Sequence, residues 1–142
     1  MSLAACSKLE PLTPSECLER LRANGVGRLA VVVGGQPLIF PLNYAMSNRQ
    51  VVFRTDAGTK LHGASGRRVA FEIDGVEPVY HEGWSVLVVG TAHEERNAAR
   101  IRELERLPLT AWVGAEDHWM CVKGGAITGR RITHVGMADA DV

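Results

Sequence analysis

Two runs of branched and aromatic residues, Arg28-Leu29-Ala30-Val31-Val32-Val33 and Leu38-Ile39-Phe40-Pro41-Leu42-Asn43-Tyr44, stand on either side of Gly34-Gly35. Glycine takes positive φ at no steric cost, so this pair folds the two runs into an antiparallel hairpin. The same grammar recurs. Ser47-Asn48 makes the next turn, and Gln50 to Thr55 and Arg68 to Asp74 are further strands, separated by residues 56–66, where a single helical turn fits. In Arg68 to Asp74, Val69, Phe71 and Ile73 alternate with Ala70, Glu72 and Asp74, which gives one buried and one wetter face. Gly83 to Ala92 is apolar on both faces and is expected at the centre of the sheet. Two closing strands, His118 to Lys123 and Ile127 to His134, meet at Gly124-Gly125. Six or seven short strands without βα alternation exclude a parallel doubly wound sheet and predict a mainly β fold, an antiparallel split barrel with flanking helices.

Two helices interrupt this pattern. Thr13-Pro14-Ser15-Glu16 is a capping box with proline at the first helical position. Cys17, Leu18 and Leu21 give that helix an apolar face, and Asn24-Gly25 predicts a left-handed stop. Asn97 caps the second, whose stripe is Ile101, Leu104 and Leu107, with Pro108 ending it. Residues 1–12 have no clear period and are expected as a flexible arm. Residues 13–135 form one domain, and 136–142 a flexible tail.

At 142 residues the chain has room for one core, and its 16 basic and 16 acidic side chains cancel. That balance gives no general attraction to nucleic acid or an anionic membrane. Cys6, Cys17 and Cys121 form no CxxC and cannot close into a full set of bridges, which with the absence of a secretory pattern predicts a cytoplasmic protein. No stretch is continuously apolar over the length of a membrane helix. The five histidines, His62, His81, His93, His118 and His134, show no ligand spacing, so no metal site is expected. Hydrolase, P-loop and dinucleotide motifs are absent as well.

Three segments carry chemistry. Phe53 to Leu61 delivers Arg54 and Thr55 from the end of a strand and, past Gly58, Thr59 and Lys60 at the start of a helical turn. Two cations, two hydroxyls and helix amides suit a phosphate dianion, although a solvated turn is the commoner outcome for such a loop. Phe40-Pro41-Leu42-Asn43 puts proline in a strand, which assigns that strand to an edge and leaves backbone groups for a flat heterocycle, or blunts the edge against aggregation. Trp84 and Ser85 at the mouth of the central strand could wall and hydrogen-bond a ring, or serve core and subunit contact; Trp112 and Trp119 share that ambiguity. Of the adjacent Arg130 and Arg131, one faces inward or into an interface.

In this order the segments resemble the FMN-binding split-barrel superfamily of pyridoxamine 5′-phosphate oxidase-like proteins, particularly its short actinobacterial-type members. The resemblance runs from Pro14 to Arg131. Its most specific pieces are Pro41-Leu42-Asn43-Tyr44, Val52-Phe53-Arg54-Thr55 with Gly58-Thr59-Lys60-Leu61, Val69 to Asp74, Gly83-Trp84-Ser85-Val86 and Ile127-Thr128-Gly129-Arg130-Arg131.

The resemblance implies a homodimer with two flavin sites in the subunit interface. Phe40, Pro41, Leu42 and Asn43 would line the isoalloxazine, Arg54, Thr55, Thr59 and Lys60 would hold the ribityl phosphate of FMN, and the partner would add Trp84, Ser85 and either Trp119 or Arg130. It also implies an oxidoreductase acting on a small molecule, with no catalytic triad of its own. His81 and His118 are candidate proton donors to that substrate, beside the commoner reading of surface histidines. The chain lacks the longer carboxy-terminal part with which the vitamin oxidase holds substrate phosphate, so pyridoxamine phosphate oxidation is not expected. A deazaflavin (F420)-dependent reductase and a non-catalytic flavin or haem carrier, with His62, His81 or His118 as haem ligand, are the alternatives.

Overall fold

The computed structural model describes residues 7–79, 82–109 and 118–134. Strands are β1 (Ser7–Pro11), β2 (Val26–Val33), β3 (Gln36–Asn43), β4 (Ala45–Ser47), β5 (Gln50–Thr55), β6 (Arg68–Glu77), β7 (Glu82–Glu95) and β8 (His118–His134). Helices are α1 (Pro14–Ala23) and α2 (Ala98–Leu104), with a 3-10 turn at His62–Ala64. All the strands join one antiparallel sheet in the order β3-β2-β6-β7-β8-β5-β4, and β1 adds to β8. The chain passes directly from β3 at one end of that order to β4 at the other, so the sheet curls into a split barrel.

The hairpin at Gly34-Gly35 forms as predicted, both glycines at positive φ (58° and 76°). Pro41 does lie on an edge strand, since β3 pairs only with β2 among the described residues. The Thr13 box is complete: Thr13 Oγ1 accepts from the Glu16 amide and Glu16 Oε1 from the Thr13 amide. Such a cap stabilises a helix by about 1 kcal/mol.

Four expectations need correction. Ser7–Pro11 lies inside the segment expected as an arm but is a strand, because β8 offers it a ladder from Arg130 to His134. α1 leaves through an extended Asn24 (φ −113°, ψ 166°), and the Asn24 side chain donates to the Arg20 carbonyl instead of the backbone turning left-handed. α2 ends at Leu104, leaving Leu107 in a following turn. Finally, Gly124-Gly125 does not join two strands: β8 runs through it unbroken.

That passage is a bulge. Val89 pairs with Ala126 but Thr91 with Lys123, so one extra β8 residue is absorbed between them, with Gly124 at φ 65°. The facing of β8 therefore reverses across the glycines. Met120 and Val122 enter the core, as do Val86, Val88 and Ala92 of β7, Val69, Phe71 and Ile73 of β6, and Leu29 and Val31 of β2. On the other face of the sheet, α2 covers Val52, Trp119 and Cys121 with Leu104. Much of the remaining outer face is bare, with Ile39 69% and Ile132 44% exposed. No described helix is long and apolar enough to cross a membrane.

Candidate functional site

Strand alternation sorts the predicted site residues onto two faces. On β3, Leu42 is buried in the core and Phe40 packs against it, while Pro41 is exposed on the opposite face, opposite Arg28. Asn43 shares the outer face with Pro41. On β7, Trp84 packs against the core side and lies under the Arg20 guanidinium of α1, 4.4 Å from its ring centroid. Ser85 points outward in a row with Asp74 and Arg130. Of the two adjacent arginines, Arg131 turns inward to an ion pair with Glu16, and Arg130 stays exposed on the outer face. Ser85, Arg130, Glu72 and Asp74 line an outer groove of about 310 Å³.

The predicted phosphate cradle divides in the same way. Thr55 is buried and its hydroxyl lies 3.0 Å from that of Thr59. Thr59 Oγ1 also donates to the Asp56 carbonyl and accepts from the His62 amide. These hydroxyls organise the turn, and the hydrogen-bonding capacity of Thr59 is spent on it. Arg54 projects from the other side of β5, its guanidinium carbon 4.8 Å from the centroid of the Trp119 ring. Trp119 is buried beneath α2, which fixes the cation against an aromatic wall. Arg54 Nε is buried without a hydrogen-bond partner, and exposed Lys60 has no ion pair among the described residues. A buried donor left unmade costs about 1–3 kcal/mol, and an anionic oxygen would satisfy it.

Electrostatics mark a second feature of the outer face. Burial, followed by the neighbouring Asp74, pushes the Glu72 carboxyl up to about 7, although Arg28 sits 3.3 Å from it. At the inner rim of the barrel, Glu94 places one carboxylate oxygen 2.7 Å from His62 Nε2 and the other 2.8 Å from His118 Nδ1. Sequence reasoning named both histidines but missed Glu94, because the three come from the 3-10 turn, β7 and β8. The fifty-five residues between His62 and His118 leave no local spacing to read. Of the other residues singled out, His81 and Trp112 fall outside the described residues.

The family model for pyridoxamine 5′-phosphate oxidase matches residues 13–131. An uncharacterized protein of Mycobacterium tuberculosis, Rv0080, is 30% identical over 128 residues, covering 85% of this chain and 84% of its own. Among solved structures, an FAD binding protein from Mycobacterium smegmatis is 38% identical with a TM-score of 0.76, over 86% of this chain and 98% of that one. A conserved protein of unknown function from Corynebacterium diphtheriae is 28% identical with a TM-score of 0.71, over 89% and 98%. With the family model spanning both helices and every strand but β1 and the end of β8, the chain belongs to the pyridoxamine 5′-phosphate oxidase family and has its split-barrel fold.

Proposed function

We propose that this protein is a flavin-binding oxidoreductase that holds FMN at the interface of a homodimer, with Arg54 and Lys60 on the phosphate. The observation that carries the reading is Arg54 itself: a cation fixed on Trp119, with Nε buried and unpartnered among the described residues. The FAD-binding relative from M. smegmatis, at 38% identity, supports a flavin nucleotide as the ligand class. Thr55 and Thr59 hold the loop in shape behind these cations. Pro41 and Asn43, on the outer face of an edge strand, offer backbone groups to a ring. Ser85 and Arg130, on the same face, would meet the ring held by a second copy.

The flavin, when bound, supplies the two-electron chemistry, so the chain needs no catalytic triad. Its own residues bind, orient and exclude water. The bare apolar outer face, where a groove of about 390 Å³ runs along Val32, Ile39, Ala70 and Val89, supports burial against a second copy.

Titration of the purified protein with FMN, FAD, deazaflavin F420 and haem at one ionic strength, followed by absorbance, tests the reading. FMN is expected to bind with perturbed oxidised-flavin bands. Arg54→Ala with Lys60→Ala is expected to weaken it on the order of 100-fold, the loss of two charge-assisted contacts. Affinity unchanged in the double variant removes the phosphate assignment, and binding of F420 alone would make the protein a deazaflavin reductase.

A further inference from the structure

We propose that His62, Glu94 and His118 form a binding site for a divalent first-row transition metal ion, of the Zn²⁺ and Fe²⁺ class. One potential ligand atom from each lies within 4.8 Å of the other two, and the imidazole rings are 4.7 Å apart between centroids. Two imidazoles and one carboxylate suit these ions, whereas Mg²⁺ and Ca²⁺ call for oxygen. Metal–ligand bonds of about 2.0–2.1 Å in a tetrahedron put neighbouring ligand atoms roughly 3.3 Å apart. The present contacts of 2.7 Å and 2.8 Å go to different oxygens of Glu94, so binding asks each to open by about half an ångström and the carboxylate to turn so that one oxygen serves the ion.

The three groups arrive on supports that hold them there. Glu94 and His118 lie on the same face of adjacent strands, Glu94 registering with Met120, two residues along from His118. His62 opens the 3-10 turn, its amide anchored on Thr59 Oγ1 at 3.1 Å. The side chains are 24%, 12% and 31% exposed in the order His62, Glu94, His118, so an ion can enter while much of its shell is shielded. Without an ion, Glu94 accepts a hydrogen from each ring. Binding asks each neutral imidazole to carry its proton on the far nitrogen, which moves no heavy atom. The competing cation is Arg96, 3.4 Å from Glu94 on an 81% exposed side chain that is free to swing away.

An ion here would staple the turn after Lys60 to β7 and β8, and would keep at least one coordination position for water or an anionic oxygen. It stands apart from the flavin reading, since it uses no residue assigned to the phosphate or the ring. A second cluster, His93, Glu95 and Cys121 on the outer face, is the internal control because it alone contains a thiol.

Flavin-free protein, stripped with chelator, is dialysed against Zn²⁺ and its metal content measured. One ion per chain is expected, with a rise in melting temperature. His62→Asn and His118→Asn should each weaken retention by more than the ~10-fold that losing even a supporting group costs. Co²⁺ in the unaltered protein should show visible bands without thiolate charge transfer, which keeps the question decidable if a variant fails to fold. No ion retained by the parent protein, retention unchanged in both variants, or a thiolate–Co²⁺ band would each overturn the site.

Discussion

The hydroxyl of Tyr44 donates a 2.6 Å hydrogen bond to the carbonyl of Leu21, joining the residue between β3 and β4 to the last turn of α1. Leu21 is among the four carbonyls that an α-helix cannot satisfy internally, and here it is buried. The Tyr44 ring meets Phe71 edge-on with centroids 4.8 Å apart, so one side chain ties helix, sheet edge and core together.

Tyr44→Phe keeps the ring and orphans that carbonyl. A loss of about 1–3 kcal/mol is expected in urea unfolding. Asn24→Ala removes a comparable bond to Arg20 where water can replace it, and is expected to cost less. Equal losses would mean that burial of the Leu21 carbonyl carries no special weight.

The bulge makes a steric prediction. An alanine Cβ at Gly125 would sit 2.2 Å from the Val89 carbonyl oxygen, while one at Gly124 meets nothing within 4 Å and is strained only by φ 65°. Gly125→Ala should therefore destabilise by roughly 1–3 kcal/mol or more, and Gly124→Ala by about 1 kcal/mol. Thermal unfolding of the pair tests the ranking; the reverse order would contradict the described bulge.

Glu72 sets a pH dependence. Its carboxyl stands at about 7 in the folded chain against an ordinary 4.5, held up by burial and by Asp74, with Arg28 opposing and Leu87 and Arg28 as its ladder partners. The folded state binds a proton that the unfolded chain has released, so stability falls as pH rises from about 4.5 to about 7, then levels. Glu72→Gln should flatten that slope and be more stable than the parent at pH 8. A parent whose denaturation midpoint does not move across this window would refute it.

If the outer face is a subunit interface, Ile39→Glu should convert a dimer to a monomer by light scattering. Ile39 is 69% exposed in the single chain, so the monomer itself should change by no more than about 0.5 kcal/mol. A monomeric parent protein, or a variant that stays dimeric, would remove this face as the interface.

Local chemistry made much of this legible. The Thr13 box, the Gly34-Gly35 hairpin, the edge position of Pro41 and the central place of β7 all follow from residues within a few positions of one another. What escaped depends on pairing. Ser7–Pro11 carries charged Lys8 and Glu10 and no apolar stripe, and becomes a strand because β8 is there to receive it. Gly124-Gly125 has the composition of a hairpin turn, and only the neighbouring strands decide that it is a bulge. The residues of the candidate cradle are divided between the two faces of β5. Consecutive strand residues face opposite ways, which separates Arg54 from Thr55, and a rule as simple as period two contained that answer. Glu94 between His62 and His118 was beyond reach because long-range sheet register, not spacing, assembles it.

The extra residue in β8 has a consequence for how the length of this chain can vary. Trp119 and Cys121 before it and Thr128 and Arg130 after it share the outer face only because the strand loses step once between them. Remove one glycine and the two halves come into phase as a regular strand, with two residues of β8 opposite two of β7, so the wall behind Arg54 and the arginine beside Ser85 keep their side of the sheet and only the bulge is lost. Loops elsewhere can gain or lose residues singly. Here the odd separation of Trp119 from Arg130 is the imprint of the bulge, and a strand without it needs an even separation to keep the same two side chains on one face.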